Sequence, residues 1–325
     1  MRIFFIATFV SLFLYANTDR APIPYDFLAK KEVQTFIHTM VKKHHFSTEY
    51  MTSILHDAKL DRDTLARYTG KYKVGSTNGS WERYKAHVLD TVSLDKAKLF
   101  KKKYYRTLLR ASQEYDVDMD YIVGFIGVES KFGEYSGDYN ILDALSTLAF
   151  HKNRMQPFFK SELEHLFLMA REQHYDIKKL QGSFAGAMGA VQQVPSIFRK
   201  FGMDYNKDGV KNPWDLEDAI GVISKFMHKN GWKKCLPAAI PTTFKGKRFT
   251  NLQATHRRLI ALKTILKQGV QPLAKFPQTK AYLLKNSNKT HDDIWLGTSN
   301  FRILTRYNNS TSYGMAIHLI AQAVK

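Results

Sequence analysis

A chain of 325 residues with 44% hydrophobic side chains holds enough apolar mass for one large core or two to three smaller ones, which excludes a mini-protein, a disordered chain and a polytopic membrane protein. Its formal charge of +20, from 49 Lys+Arg against 29 Asp+Glu, favours polyanionic partners: nucleic acid, anionic lipid or an acidic cell-wall polymer. No helix-turn-helix, zinc-finger or RNP pattern accompanies that charge and the lysines are scattered, so nucleic acid is not the expected partner.

Met1-Arg2 precede an apolar run, Ile3 to Tyr15, too short for a comfortable membrane span, and residues 1–20 read as a signal peptide or an N-terminal anchor. Small residues at Ala16-Asn17-Thr18 have cleavage spacing without forming a strong site, which leaves a soluble and an anchored exported form both open. The single cysteine, Cys235, lies far from this segment; that excludes an intrachain disulfide and a lipoprotein anchor, and Cys235 is expected to be a small buried or half-buried thiol.

After an extended leader at Ala21-Pro22-Ile23-Pro24, apolar residues at helical spacing (Phe27, Val33, Phe36, Ile37, Met40) open an N-terminal helical region over 25–103. Glycine-rich loop chemistry interrupts it between Thr69 and Ser80, and the period resumes through Trp81, Tyr84, Val88 and Leu89. Residues 104–234 form the expected core, a series of helices ended by Gly or Asn. Over 235–299 the composition shifts to a small α+β lobe, with β-prone pieces at Ala239–Phe244 and Arg248–Leu252. The tail, 300–325, returns to helical period through Tyr313, Ile317, Ile320 and Val324, as a C-terminal helix packing on the core. The fold class is mainly α, with α+β character from the lobe.

Within the core, Asp118 is placed to cap a helix running through Tyr121, Ile122, Phe125, Ile126 and Glu129 until Gly133 stops it. Glu129 lies three residues after Ile126 and four after Phe125, on the face those residues bury. Desolvation there raises a carboxylate's pKa, the condition for a general acid near neutral pH. The bland alternative is a helix-end Glu that salt-bridges Lys131 or Arg154.

The string Gly124-Phe125-Ile126-Gly127-Val128-Glu129-Ser130-Lys131-Phe132-Gly133 resembles the catalytic-helix motif of the lytic murein transglycosylase B family. In order follow Ile141-Leu142-Asp143-Ala144-Leu145, Ser183-Phe184-Ala185-Gly186-Ala187-Met188-Gly189, a Gln with Pro195-Ser196, and Thr305-Arg306-Tyr307-Asn308 with Tyr313-Gly314-Met315-Ala316, all similar to that family at matching spacing. The resemblance implies a lysozyme-like catalytic core and a periplasmic enzyme acting on peptidoglycan glycan strands. One Glu protonates the bond between N-acetylmuramic acid and N-acetylglucosamine, then deprotonates the muramoyl C6 hydroxyl, giving a 1,6-anhydro sugar. Carried over by motif, Glu129 is the acid/base, Ser183 and Gln192 contact the sugar near the cleaved bond, Tyr307 and Asn308 reach the cleft from the C-terminal segment, and Arg154 binds the peptide stem. Ser183 as a turn cap and Tyr307 as core packing are the plain alternatives.

The chain departs from that pattern at Ala190-Val191-Gln192-Gln193-Val194, where the family has Tyr-Gly-Gln-Phe-Met, so the active Gln falls on Gln192 or Gln193. Met155 replaces a second Arg, and Phe226 a Tyr. A lysozyme-type hydrolase and a non-catalytic wall-binding protein are the competing readings.

Asp204-Tyr205-Asn206-Lys207-Asp208-Gly209 reproduces the first six positions of an EF-hand loop, with Val210 supplying a carbonyl at position seven and Asp215 at position twelve. The resembling family uses a longer loop whose acid falls at position fifteen, here Asp218. The expected ligands are Asp204, Asn206, Asp208, Val210 and Asp218 around a structural Ca2+. A turn joining two helices without metal is the alternative.

Overall fold

Short acceptor side chains ahead of apolar runs set where many of the helices begin: Ser47, Asp61, Asp90, Asn140 and Ser310 each accept a backbone N–H from the first turn that follows. The computed structural model describes residues 21–69 and 79–325; the signal or anchor expected at 1–20 and most of the loop expected between Thr69 and Ser80 lie outside them. In chain order the elements are β1 (Ile23–Pro24), α1 (Lys31–His44), α2 (Thr48–Asp57), β2 (Lys59–Leu60), α3 (Arg62–Tyr68), α4 (Ser80–Val88), α5 (Thr91–Lys103), α6 (Tyr105–Tyr115) and α7 (Met119–Ser130). There follow β3 (Tyr139–Asn140), α8 (Ile141–Phe150), α9 (Gln156–Glu172), β4 (Gln181–Gly182), α10 (Pro195–Phe201) and α11 (Leu216–Lys229). The chain ends with β5 (Ala239–Thr243), β6 (Thr255–Ala261), α12 (Leu262–Leu266), β7 (Gln271–Pro272), β8 (Lys280–Ser287), β9 (Asp292–Gly297), α13 (Ser299–Tyr307) and α14 (Thr311–Ala323).

These elements form two compact units, one holding residues 79–132 and Ile220–Lys325, the other 21–69 and Gly133–Ala219. In the first unit α7 is apolar on every side, with Tyr121 to Gly127 all buried, the pattern of a central helix. It packs along α14, closely enough that a Cβ on Gly124 would stand 2.6 Å from the Ile317 carbonyl oxygen. The Tyr121 hydroxyl joins three parts of this unit: it accepts the Ala238 N–H at 2.8 Å and shares a hydrogen bond with His318 Nδ1 at 2.8 Å. Burial holds His318 neutral by pushing its pKa down to about 4.

The lobe of this unit is a five-stranded antiparallel sheet in the order β6-β8-β9-β5-β7. Ile240, Leu283, Ile294 and Leu296 from the strands pack with Phe249, Ile265 and Val270 into one core. The expected strand at Ala239–Phe244 forms as β5, but Arg248–Leu252 is not a strand. Arg248 instead grips the β8–β9 turn through the Asn288 carbonyl at 3.0 Å and Asp292 Oδ1 at 2.9 Å, and Phe249 N–H donates to Asp292 Oδ2.

Two smaller expectations also change. Asp118 precedes α7 as expected, but its carboxylate accepts from Trp232 Nε1 at 2.8 Å and from the Cys235 N–H, rather than capping the helix. Cys235 is exposed, because its turn spends the backbone N–H on Asp118 at a left-handed φ of 64° and leaves the thiol outside.

In the second unit α8 is buried along its whole length and packs on α9. Phe36 of α1 meets Phe150 at 5.6 Å and Phe167 at 6.1 Å between ring centroids, so the apolar stripe of the N-terminal helices is used as expected. Buried Glu162 accepts the Ser196 N–H at 2.9 Å and its hydroxyl at 2.6 Å, fixing the start of α10.

Candidate active site

Glu129 occupies the last turn of α7, half-buried, on the floor of a cavity of about 390 Å³. Tyr84, His87 and Val88 of α4, Val92, Ser93 and Lys96 of α5, and Tyr313 of α14 line the same space. Ser310 caps α14 by accepting the Tyr313 N–H, which fixes the first turn from which the Tyr313 hydroxyl donates to Glu129 Oε1. Glu129 therefore has a neutral partner, and not the salt bridge to Lys131 or Arg154 that was the bland alternative. Among other buried carboxylates, Asp61 accepts the Thr64 N–H, Asp143 that of Lys59 and Glu162 that of Ser196, while Asp63 accepts from Arg67 Nε and the Tyr139 hydroxyl.

Burial pushes the Glu129 pKa up to about 8, with the Tyr313 hydrogen bond pulling weakly the other way. By proton linkage, a folded pKa above the unfolded value of 4.5 gives stability that is fully present below pH 4.5 and lost as pH rises through 8. Glu129→Gln, which cannot ionise, is expected to match the wild type near pH 4 and to exceed it by a few kcal/mol at pH 9. The check is a pair of thermal melts at the two pH values: the mutant should gain roughly 5 °C or more in Tm at the higher one.

Tyr307 is buried against Phe125 and Phe226, with ring centroids 5.4 and 5.0 Å away, so its ring packs the wall behind α7. Asn308 follows it, buried at the end of α13. These two and Glu129 belong to one unit, whereas Ser183, Gln192 and Arg154 belong to the other.

There, Ser183 and Gln192 are brought together in one tight loop, held by bridges from Gly182 to Met188 and from Met188 to Gln193. Ser183 Oγ accepts the Ala187 N–H at 3.0 Å, so it does close a turn. Gln192, half-buried at φ 49°, donates from Nε2 to the Ser136 carbonyl at 2.8 Å. Arg154 lies over the Tyr68 ring, whose neighbour Phe184 is covered by Arg67 at 4.4 Å. Gln193 is buried with an Oε1 that meets no donor. Replacing it by the similarly sized Met removes that unsatisfied carbonyl, and Gln193→Met is expected to stabilise the fold by about 1–2 kcal/mol in denaturant melts.

A sequence profile described as "Transglycosylase SLT domain" matches residues 28–322. The chain belongs to this transglycosylase family. It is 37% identical over 305 residues to the membrane-bound lytic murein transglycosylase B of Escherichia coli K12, covering 92% of this chain and 84% of the relative. The structure of the Escherichia coli lytic transglycosylase SLT35 in complex with calcium superposes with a TM-score of 0.85 at 33% identity, over 96% of this chain and 98% of that one. The soluble lytic transglycosylase SltB1 of Pseudomonas aeruginosa does so with a TM-score of 0.79 at 29% identity, over 90% and 98%. The lytic transglycosylase activity and the mainly helical, lysozyme-like fold follow from this membership.

In the transglycosylase the loop from Asp204 is folded around its own carboxylates. Asp204 accepts the N–H groups of Asp208 and Gly209, and Asp208 that of Val210. Asp218, buried, turns both oxygens back to the loop, accepting from Tyr205 at 2.6 Å and Asn212 at 2.8 Å. Asp215 instead caps α11, with Oδ1 accepting from Glu217 and Asp218. Three carboxylates and an Asn carbonyl on one loop are hard oxygen donors of the type calcium takes, but among the described residues no three acidic side chains converge as an ion-holding group, their oxygens being turned onto loop N–H groups.

Sequence reasoning placed Tyr313 in a family motif and Tyr84 on a helix period without assigning either a role. Their signal is chemical: a tyrosine hydroxyl is the neutral donor that a buried carboxyl needs, and only the pairing of α7 with α14 shows that Tyr313 supplies it.

Proposed function

We propose that Glu129 is the sole acid/base of the transglycosylase, acting on the bond between N-acetylmuramic acid and N-acetylglucosamine with formation of a 1,6-anhydro product. The observation that carries this reading is the fate of the other carboxylate in the cavity. Asp90 is engaged as the cap of α5, accepting the Ser93 N–H at 2.8 Å and its hydroxyl at 3.0 Å. Those bonds hold its pKa below the ordinary range. Glycosidases that deliver water or form a glycosyl-enzyme use a second carboxylate as base or nucleophile. An intramolecular nucleophile removes that need.

Glu129, protonated at neutral pH, gives its proton to the glycosidic oxygen as the bond from C1 breaks. The ionised carboxylate then takes the proton of the muramoyl C6 hydroxyl as that oxygen bonds to C1, which restores the acid. Tyr313 holds the carboxyl and steadies its anion between the two steps. The family resemblance supports Asn308 as a sugar contact on the unit of Glu129, Ser183 and Gln192 as sugar contacts and Arg154 as a stem-peptide contact on the other unit, while Tyr307 packs the wall behind α7. Purified peptidoglycan is digested and its muropeptides weighed: products lighter by one water than the hydrolysis products are expected, and hydrated products alone would replace this mechanism by that of a muramidase.

Asp204, Asn206, Asp208, the Val210 carbonyl and Asp218 would hold a Ca2+ that cross-links the loop without taking part in the reaction. A relative solved in complex with calcium supports the assignment. Adding millimolar calcium to chelator-treated protein is expected to raise Tm by several degrees, as a ligand at about a hundredfold over its Kd stabilises by about 2.7 kcal/mol. Asp218→Asn should abolish the rise; an unchanged Tm in the wild type would remove calcium from the fold. We place the enzyme in the periplasm, exported by residues 1–20 and either released or anchored by them.

A further inference from the structure

We infer that His256, on β6 of the lobe, is a positioning residue for the reaction: it fixes the corner between α13 and α14 that carries Asn308 at one end and Tyr313 at the other. This rests on the proposed reading of Glu129 and gives the lobe a part in placing the acid's hydrogen-bond partner.

β6 leaves the regular ladder where His256 sits. Thr255 pairs with Leu283 of β8 but Ile260 with Ala281, so the strand bulges between them. A bulge re-aims a side chain and is common beside active sites. His256 is the one buried residue of β6, and both nitrogens of its ring are spent on the α13–α14 corner. Nε2 meets Asn309 Oδ1 at 2.9 Å and Nδ1 meets Thr311 Oγ1 at 2.8 Å. Arg257 Nε, which can only donate, reaches the same Asn309 oxygen at 3.2 Å and marks it as an acceptor. Nε2 therefore carries the proton, and Nδ1 of the neutral ring accepts from the Thr311 hydroxyl. Burial, with Arg302 and Arg257 nearby, holds the His256 pKa below its ordinary value and keeps the ring neutral at neutral pH.

The corner itself is short and closed on Ser310. The Asn308 carbonyl accepts the Ser310 N–H at 2.7 Å, and Ser310 Oγ accepts the Tyr313 N–H at 3.3 Å. His256 grips the residues on either side of Ser310, and Asn286 of β8 takes the Ser312 hydroxyl at 3.3 Å. Two strands of the lobe thus hold Asn309, Thr311 and Ser312, the residues between the sugar contact proposed at Asn308 and the tyrosine whose hydroxyl donates to Glu129. An apolar side chain would fill the same space without polar atoms to satisfy; a ring bonded at both nitrogens fixes in addition the angle at which the chain enters α14. A misplacement of about 1 Å at a reacting group costs about 10²-fold in rate, so a corner held by two hydrogen bonds bears on catalysis more than on stability.

The test is the pH–rate profile of His256→Leu, His256→Gln and Thr311→Val on purified peptidoglycan, each assayed well below its own Tm. His256→Leu should lower kcat about tenfold or more and move the alkaline limb to higher pH, because a displaced Tyr313 no longer pulls the Glu129 pKa down. That limb lies above the range in which His256 titrates, so the ring's own ionisation does not enter it. Gln brings an amide N–H near the position of Nε2 and should restore most of kcat and return the limb. Thr311→Val keeps the shape, loses one hydrogen bond and should lower kcat about threefold. A lower Tm with kcat and limb unmoved in both His256→Leu and Thr311→Val overturns the inference, as does a His256→Gln no better than His256→Leu. If His256→Leu does not fold, Thr311→Val decides by the same two readouts. Glu129→Gln is run beside them: a full rate in that variant removes Glu129 as the acid, while the loss of kcat and its recovery by Gln still show whether His256 sets the corner.

Discussion

Glu129→Gln is expected to remain folded and to release anhydro-muropeptides about 10³-fold or more slowly than the wild type. General acid or base catalysis by a placed side chain contributes about 10²–10⁴-fold, and here one carboxyl performs both steps in sequence, so the loss belongs near the upper end. Gln keeps the shape and still accepts from Tyr313, but it has no proton to give to the glycosidic oxygen. Anhydro products that persist at the wild-type rate in this variant would sink the assignment.

The same carboxyl fixes the pH profile. With a pKa of about 8, roughly nine-tenths of Glu129 is protonated at pH 7, against about 0.3% for a carboxyl at 4.5. The first step consumes the protonated form, so kcat/KM should stay level through neutrality and fall tenfold per pH unit above about 8. A limb near pH 4.5 would mean that Glu129 is solvated in the working enzyme.

How much of this could be read in advance differs by residue. Helix positions with a clear period, such as Val33, Phe36 and Met40, were legible because one face must be buried. Arg248–Leu252 was misread because β-propensity carries no information about the partner: Arg248 and Phe249 are occupied by Asp292, far along the chain. Asp118 was misread for the same reason, its carboxylate taken by Trp232. Periodicity put Glu129 on a buried face but left open what it would meet. The hydroxyl of Tyr313 comes from 184 residues away, and only the packing of two helices brings it there.

Gly124→Val is expected to unfold the unit that carries Glu129, and Gly124→Ala to destabilise it by about 1–3 kcal/mol. Replacing an interior helical Gly by Ala would ordinarily gain about 1 kcal/mol of helix propensity, so the sign depends on the contact. A Cβ at this position meets the Ile317 carbonyl oxygen at 2.6 Å and Ile317 Cγ2 at 3.1 Å. A backbone oxygen inside α14 cannot turn aside, so the two helices must separate. Gly127 makes the contrast: its Cβ would meet the Phe132 ring at 2.6 Å, a side chain that can tilt, and Gly127→Ala should cost less. Tyr313 lies one helical turn before Ile317, so moving α14 away from α7 draws its hydroxyl off Glu129. That hydrogen bond lowers the Glu129 pKa, and its loss should move the alkaline limb of the rate profile to higher pH while kcat falls. Thermal melts with the pH profile of Gly124→Ala test this. A lower Tm with an unmoved limb would show that the close helix contact supports the fold without placing Tyr313 on the acid.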